Sequence, residues 1–338
     1  MRMATIHGGG LDAAIEQFGG SRADWLDLST GINPAAVPLP QIVPSAWARL
    51  PDSELQARCI AAARKSYGVP RQAGIVAAPG SQALISLLPF VLPVGDVAIL
   101  APTYGEHRAG FEAAGHRVVS IGGLDELPNR ARVVVVVNPN NPDGRRMEPA
   151  ALLDLKQEMV RRGGLLIVDE AFADAVPQLS VAGHAGTEGL LVHRSFGKFY
   201  GLAGIRLGFA LTTPALAETL SARLGPWAVS GPALAIGAAV LADPQLRARV
   251  MEDIARQAGR RDRVLAAAGL ARVGATPLFA TIETPDAHAL FEALCRRHIL
   301  TRPFSYRADW LRFGNPKDEA EAARLAGALA DLAREDGR

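Results

Sequence analysis

The chain is 338 residues long, 49% hydrophobic and 21% charged, with a net charge of +2. That length allows a large core and two lobes, and the balance is that of an ordinary globular protein. The arginines are spread rather than clustered, which argues against a nucleic-acid partner, and Pro89, Pro93 and Asp96 break the longest apolar stretch before it reaches membrane-spanning length.

In chain order, the first informative segments are HGGG, His7 to Gly10, and DLSTGINP, Asp27 to Pro34. Gly, Asn and Pro at that density predict a loop with exposed backbone donors, suited to lying over a small anionic ligand. No signal-like apolar stretch opens the chain, so a cytoplasmic protein is expected. Residues 43–230 then alternate apolar runs with helical segments, the pattern of a mostly parallel sheet with helices on both faces. Within that region, Gly74 to Ala78 reads as a strand that ends in Pro79, Gly80, Ser81 and Gln82, followed by a helical run from Ala83 to Phe90. Backbone donors at a helix N-terminus bind phosphate, although simple capping uses the same groups. A further strand, Val97 to Leu100, leads into PTYGEH, Pro102 to His107.

Val133 to Val137 is a run of five valines, as expected of a strand buried on both faces, and it ends in the turn NPNNPDG, Asn138 to Gly144. Leu165 to Val168 is a second such strand and runs straight into Asp169 and Glu170. A third, Leu190 to Val192, precedes a glycine-rich loop that carries Lys198, with Ser195 three residues before it and Arg206 eight after. The chain has only four lysines, and the other three lie in polar surroundings. Ligands of open α/β sheets bind beyond the carboxyl ends of the strands, so Asn141, Asp169 and Lys198 are all expected at that rim. A hydroxyl, an amine and a guanidinium around one loop suit an anionic cofactor that is also held covalently.

The remainder reads as helices at 231–241 and 246–268, a strand at 278–283, a helix at 287–297, a strand at 310–313 and an amphipathic helix at 317–334. This mixed tail suggests a smaller α+β domain. The expected division is a covering segment at 1–42 that joins the small domain, a cofactor-binding domain at 43–230, and the small domain at 231–338. Cys59 and Cys295 lie far apart on helical segments and read as buried free thiols, neither bridged nor metal-bound. No metal site is expected.

The order NPxNPxG, apolar-Asp-Glu-Ala, then SxxK with an arginine eight residues on resembles the pyridoxal-phosphate enzymes of the aspartate aminotransferase fold type, fold type I. The resemblance covers nearly the whole chain. It implies an α/β fold with a mostly parallel central sheet, a homodimer, and pyridoxal 5'-phosphate as cofactor. Lys198 is then the Schiff-base lysine and Asp169 the partner of the ring nitrogen. The same resemblance implies that Asn141 bonds the ring's phenolic oxygen and Tyr104 stacks on the ring. Gly80, Ser81, Gln82, Ser195 and Arg206 would hold the phosphate.

HGGG and STGINP, with RLPD at Arg49 to Asp52 and PTYGEH, resemble the threonine-phosphate decarboxylases of cobalamin biosynthesis. Those enzymes convert L-threonine O-3-phosphate to (R)-1-aminopropan-2-ol O-phosphate and CO2. The resemblance implies Arg312 for the substrate carboxylate; Arg302 is then the candidate for its phosphate, with His7 and the backbone of Gly31, Ile32 and Asn33 closing over it and Asn141 alongside. The alternative is the histidinol-phosphate aminotransferase family, whose lysine segment is similar. That family carries tyrosines where this chain has Phe172 and Leu50, and both departures weaken the alternative.

Overall fold

A computed structural model describes residues 8–335. Two compact units emerge. The larger comprises Ala36–Asn141 and Arg145–Val250; the smaller comprises the segment up to Ala35, Pro142–Gly144 and the chain from Met251 onward. The divisions read from the sequence lay after residues 42 and 230, whereas the units divide after Ala35 and Val250. The helix at 231–241 explains part of that difference: it is apolar on all sides and buries seven residues within the larger unit.

The first elements along the chain are α1 (Leu11–Phe18), β1 (Leu26–Asp27), α2 (Pro44–Ala48) and α3 (Ser53–Ser66). Next come β2 (Gly74–Ala78), α4 (Ser81–Leu87), β3 (Asp96–Leu100), α5 (Glu106–Ala113) and β4 (Arg117–Ile121). The central strands are β5 (Val133–Val137), β6 (Leu165–Asp169), β7 (Leu190–Ser195) and β8 (Gly208–Thr212), with α6 (Pro149–Arg161) and the single turn α7 (Phe196–Phe199) between them. Helices α8 (Pro214–Leu224), α9 (Gly231–Leu241) and α10 (Pro244–Ala267) follow. The chain closes with β9 (Arg272–Thr276), β10 (Phe279–Glu283), α11 (Ala287–Cys295), β11 (Ile299–Leu300), β12 (Arg302–Phe304), β13 (Arg307–Gly314) and α12 (Glu319–Glu335).

The larger unit is built on a seven-stranded sheet of order β2-β8-β7-β6-β5-β3-β4. All its pairings are parallel except those of β8, which runs antiparallel to both neighbours. Side chains alternate across such a sheet. Val133, Val135, Ile167 and Leu191 therefore share one face, where they pack with Leu84 and Leu88 after β2, Phe111 of α5, and Ala217 and Leu220 of α8. The same alternation carries forward to the strand ends. It puts Asp169, His193 and Ser195 on that face, and Arg194 on the other.

The smaller unit holds a four-stranded antiparallel sheet of order β12-β13-β10-β9 and the parallel pair β1-β11. Ala280, Ile282, Leu311 and Phe313 line its core with Leu294 of α11 and Leu325 and Leu329 of α12. Arg312 lies between two core positions of β13, so its side chain leaves from the opposite face. Cys59 and Cys295 are buried free thiols, as read. Among the described residues, no helix is long and apolar enough to cross a membrane, and no group of ligating side chains could hold a metal ion.

Candidate functional site

Adjacent strands bring the sequence-predicted residues of the larger unit to one rim. Asp169 is level with Val137 of β5 on one side and with His193 of β7 on the other. Asn138 donates its backbone N–H to the Asp169 carbonyl at 2.9 Å, which fixes where the NPNN turn leaves the sheet. That turn is then locked by its own amides. The Asn138 side chain donates to the Met147 carbonyl at 3.0 Å and accepts from the Met147 N–H at 2.8 Å, and Asn140 donates to the Pro102 carbonyl at 2.8 Å. Asn141 at its tip is buried.

Lys198 does not sit in an irregular loop, as its glycine-rich surroundings suggested. The turn α7 starts directly at the end of β7, with Ser195 as its N-cap residue, and Lys198 lies in that turn. Gly197 permits this because a Cβ there would lie 2.5 Å from the Ala203 backbone. The Lys198 ammonium stands 5.4 Å from the centroid of the Phe172 ring. The phenylalanine that replaces the tyrosine of the aminotransferase pattern therefore faces the lysine with an apolar ring.

Ala78, Gly208 and Ser195 are register neighbours across β2, β8 and β7, so the start of α4 and the end of β7 meet over Gly208. The approach is close enough that a Cβ on Gly208 would lie 2.2 Å from the Ser81 nitrogen. Gly80 has φ of +83°, and a Cβ there would lie 2.6 Å from an Arg206 Nη. Glycine at both positions opens a cradle in which Arg206 faces the N-terminus of α4. Backbone donors, a hydroxyl and a guanidinium there suit the phosphate of pyridoxal phosphate. The Gln82 side chain is engaged elsewhere: its Oε1 accepts from the Tyr104 hydroxyl at 2.9 Å, which ties Tyr104 to α4.

The histidine at the end of PTYGEH had no role in the sequence reading, yet it touches the predicted acid. His107 and Phe111 form the buried stripe of α5, one turn apart. Phe111 packs in the core, and His107 Nε2 reaches Asp169 Oδ2 at 2.9 Å. The other carboxylate oxygen accepts from the Ala171 N–H at 2.9 Å. Burial pushes the Asp169 carboxyl toward its neutral form, but the His107 hydrogen bond and nearby charge outweigh it and hold its pKa below the usual value. A buried aspartate kept anionic fits the pyridine nitrogen of the cofactor, whose protonated form it would stabilise. The place of His107 on the buried stripe of α5 is the one local signal it carries; the contact with Asp169 depends on the packing of that helix over β6.

The opposite sheet face carries a second network that the sequence reading also missed. Arg194 is 2% exposed and donates to Glu170 at 2.7 Å, with Asp174 at 2.8 Å. Its guanidinium lies 4.3 Å from the Tyr67 ring centroid. Burial disfavours its charge, but Asp174 and Glu170 more than compensate and hold it protonated. Because Glu170 follows Asp169 and Arg194 precedes Ser195, this bridge cross-ties the two strand ends that carry the candidate cofactor residues.

In the smaller unit, Arg302 and Arg312 are direct cross-strand partners of β12 and β13. Arg312 is buried and donates to the Ser29 carbonyl at 2.7 Å. Burial, and then the neighbouring Arg302, push its pKa well below the usual guanidinium value, so an anion beside it would be stabilised. Arg302 stacks 5.2 Å from the Phe304 ring centroid. The loop of Gly31, Ile32 and Asn33 is held in the same unit, where Gln257 donates to Asn33 Oδ1 at 3.1 Å. Gly9 donates to Ser29 Oγ at 2.8 Å, and a Cβ on Gly8 would lie 2.5 Å from the Ser29 carbonyl oxygen, so the glycines of HGGG lie on the STGINP loop. His7 falls outside the described residues.

Residues 41–329 match the family described as aminotransferase class I and II. The chain is similar to a threonine-phosphate decarboxylase of a Sinorhizobium species, with 48% identity over 98% of this chain and 99% of that protein. It is also similar to the threonine-phosphate decarboxylase of Pseudomonas aeruginosa, with 44% identity over 96% of each chain. Among solved structures, the histidinol-phosphate aminotransferase of Sinorhizobium meliloti in complex with pyridoxal-5'-phosphate superposes with a TM-score of 0.83 and 21% identity, over 99% of this chain and 96% of that one.

Proposed function

Since the chain belongs to the aminotransferase class I and II family, we propose that it is a pyridoxal-phosphate-dependent decarboxylase that converts L-threonine O-3-phosphate to (R)-1-aminopropan-2-ol O-phosphate and CO2. The observation that carries this reading is the end-to-end likeness to two threonine-phosphate decarboxylases at 48% and 44% identity. The likeness to the histidinol-phosphate aminotransferase structure, at 21% identity, bears on the fold alone. The reaction would supply the aminopropanol linker used in cobalamin assembly, in the cytoplasm.

When bound, the cofactor supplies an electron-withdrawing ring that accepts the electron pair released as the carboxylate leaves as CO2. In this reading the chain's residues do the rest. Asp169, oriented by His107, would keep the ring nitrogen protonated. Gly80, Ser81, Gln82, Ser195 and Arg206 take the cofactor phosphate, with Asn141 and Tyr104 holding the ring. Lys198 would hold the cofactor covalently, and its Nζ would carry the proton that takes the place of the departing carboxylate at the substrate Cα. Arg312 orients the substrate carboxylate, and Arg302 with the Gly31 to Asn33 backbone takes the substrate phosphate. Two guanidiniums in cross-strand register suit a ligand with two anionic groups.

A homodimer belongs to the same proposal. Leu39, Val43, Trp47 and Leu50 are each at least 60% exposed on one short stretch of the larger unit, an apolar surface that a second copy would cover. The deciding experiment incubates the purified, cofactor-loaded protein with threonine phosphate and measures CO2 and keto acid together. Stoichiometric CO2 with aminopropanol phosphate is expected. A keto acid without CO2 would establish a transaminase instead.

A further inference from the structure

His193 has no part in the chemistry above, yet it lies among the groups that perform it. It is level with Asp169 in the β6–β7 register and shares its sheet face with Ser195 two residues on. The side chain is buried, at 1% exposure, and neither ring nitrogen has a hydrogen-bond partner among the described residues. Two unpaired buried nitrogens are destabilising, and an apolar side chain of similar shape would pack there at lower cost. Packing therefore does not account for a histidine at this position. Its ring instead lies parallel to that of His107, within 8° and with centroids 6.2 Å apart, and His107 is the residue that holds Asp169.

We infer that His193 is a positioning residue that acts through the Asp169–His107 pair: its uncharged, polar ring lies alongside His107, keeps Nε2 directed at Asp169 Oδ2, and leaves the aspartate charge available to the cofactor ring nitrogen. The charged and titratable groups that face it are Asp169 on β6 and His107 on α5. Burial holds its pKa down at about 4, so it adds no cation beside Asp169 at neutral pH. A cation at this place would compete with the ring nitrogen for the same carboxylate. An apolar residue would remove the polar neighbour of His107.

This inference rests on Asp169 as the partner of the ring nitrogen, so Asp169→Asn runs in parallel as a control. The test compares His193→Leu and His193→Gln with the parent protein in three measurements: thermal midpoint of the cofactor-free protein, pyridoxal phosphate affinity, and the pH midpoint of the visible band of the bound cofactor. His193→Leu should keep or raise the thermal midpoint. It should weaken cofactor binding about fivefold, the scale of one polar contact. It should also move the pH midpoint by about half a unit or more, as loss of a polar neighbour does. His193→Gln, polar and uncharged, should restore both towards the parent values. Parent-like affinity and pH midpoint in His193→Leu would overturn the inference, as would a glutamine variant no better than leucine. A leucine variant that is less stable or fails to fold would make His193 a structural residue, which also overturns it. If Asp169→Asn titrates like the parent protein, it is the assignment of Asp169 that fails.

Discussion

The two units treat buried arginine in opposite ways. In the larger unit, Arg194 is enclosed by Glu170 and Asp174, and its charge is matched where it lies. In the smaller unit, Arg312 is equally buried but is set against Arg302, so two like charges share a cross-strand pair. Like charges directly opposite on a sheet are destabilising, and burial enlarges the cost. A matched network needs no ligand and can hold a frame rigid. A pair of neighbouring guanidiniums is relieved when an anion arrives, which suits a substrate that comes and goes. The contrast teaches that the frame under the candidate cofactor residues and the arginine pair proposed for the substrate are built on different electrostatic logic.

The sharpest way to break this division is to remove the group that links frame to chemistry. Lys198→Ala should lose the visible band of the bound cofactor and all measurable turnover, since the proposed covalent attachment and proton return both need the amine. Parent-like turnover would dissolve the assignment. Asp169→Asn should retain much of the cofactor affinity while turnover falls far more than binding, which a paired measurement of Kd and kcat would register.

The matched network is tested by leaving its acids unpaired. Arg194→Met should destabilise the cofactor-free protein by about 3–5 kcal/mol, because breaking a buried ion pair strands uncompensated charge. Urea unfolding measures this directly. If the network serves only as a frame, the substrate preference of the surviving folded enzyme should be unchanged.

How much of this was legible in the sequence divides along physical lines. Val133–Val137 and Leu165–Asp169 are short apolar runs flanked by turn residues, so the buried strands and the rim at Asp169 could be read locally. The order of Asn141, Asp169 and Lys198 along the chain carried the resemblance to the pyridoxal-phosphate enzymes. The His107–Asp169 bond spans 62 residues of sequence and depends on which helix lies over which strand, so no local pattern announced it. The one-turn helix around Lys198 was hidden because glycine and aromatic residues favour other local readings, and packing of Gly197 against Ala203 overrides them. Arg302 and Arg312 were each visible as residues, but their direct opposition is a property of hairpin register and emerged only with the sheet.

Substrate discrimination tests the cross-strand arginine pair. Threonine lacks the phosphate, so it should leave Arg302 without its proposed anion and be a poor substrate. Arg302 is half-buried, and loss of one charge-assisted hydrogen bond there costs about 2 kcal/mol, roughly a factor of thirty in kcat/KM. Arg302→Ala should narrow the gap between threonine phosphate and threonine, chiefly by slowing the former. Arg312→Ala should impair both substrates, because both carry the carboxylate. Equal turnover of the two substrates by the parent enzyme would remove the distinction between frame and selecting surface.

The smallest expected effect concerns protons on the frame. His193 has a folded-state pKa of about 4 against an ordinary value of 6.5. Between those limits the unfolded chain binds a proton there that the folded chain refuses. The contribution of His193 to stability is therefore fully present above about pH 6.5 and is lost as pH falls towards 4, at a rate of at most about 1.4 kcal/mol per pH unit. Asp169 has the same sign at lower pH: its depressed pKa gives stability above the ordinary carboxylate value that disappears only on stronger acidification. Urea midpoints of the cofactor-free protein, taken from pH 7.5 to 4.5, should decline more steeply for the parent than for His193→Leu. The two curves should converge above pH 7, apart from a constant offset set by packing. A leucine variant with the parent's acid slope would mean that other groups govern the frame's response to acid, and that the burial of His193 carries no proton linkage.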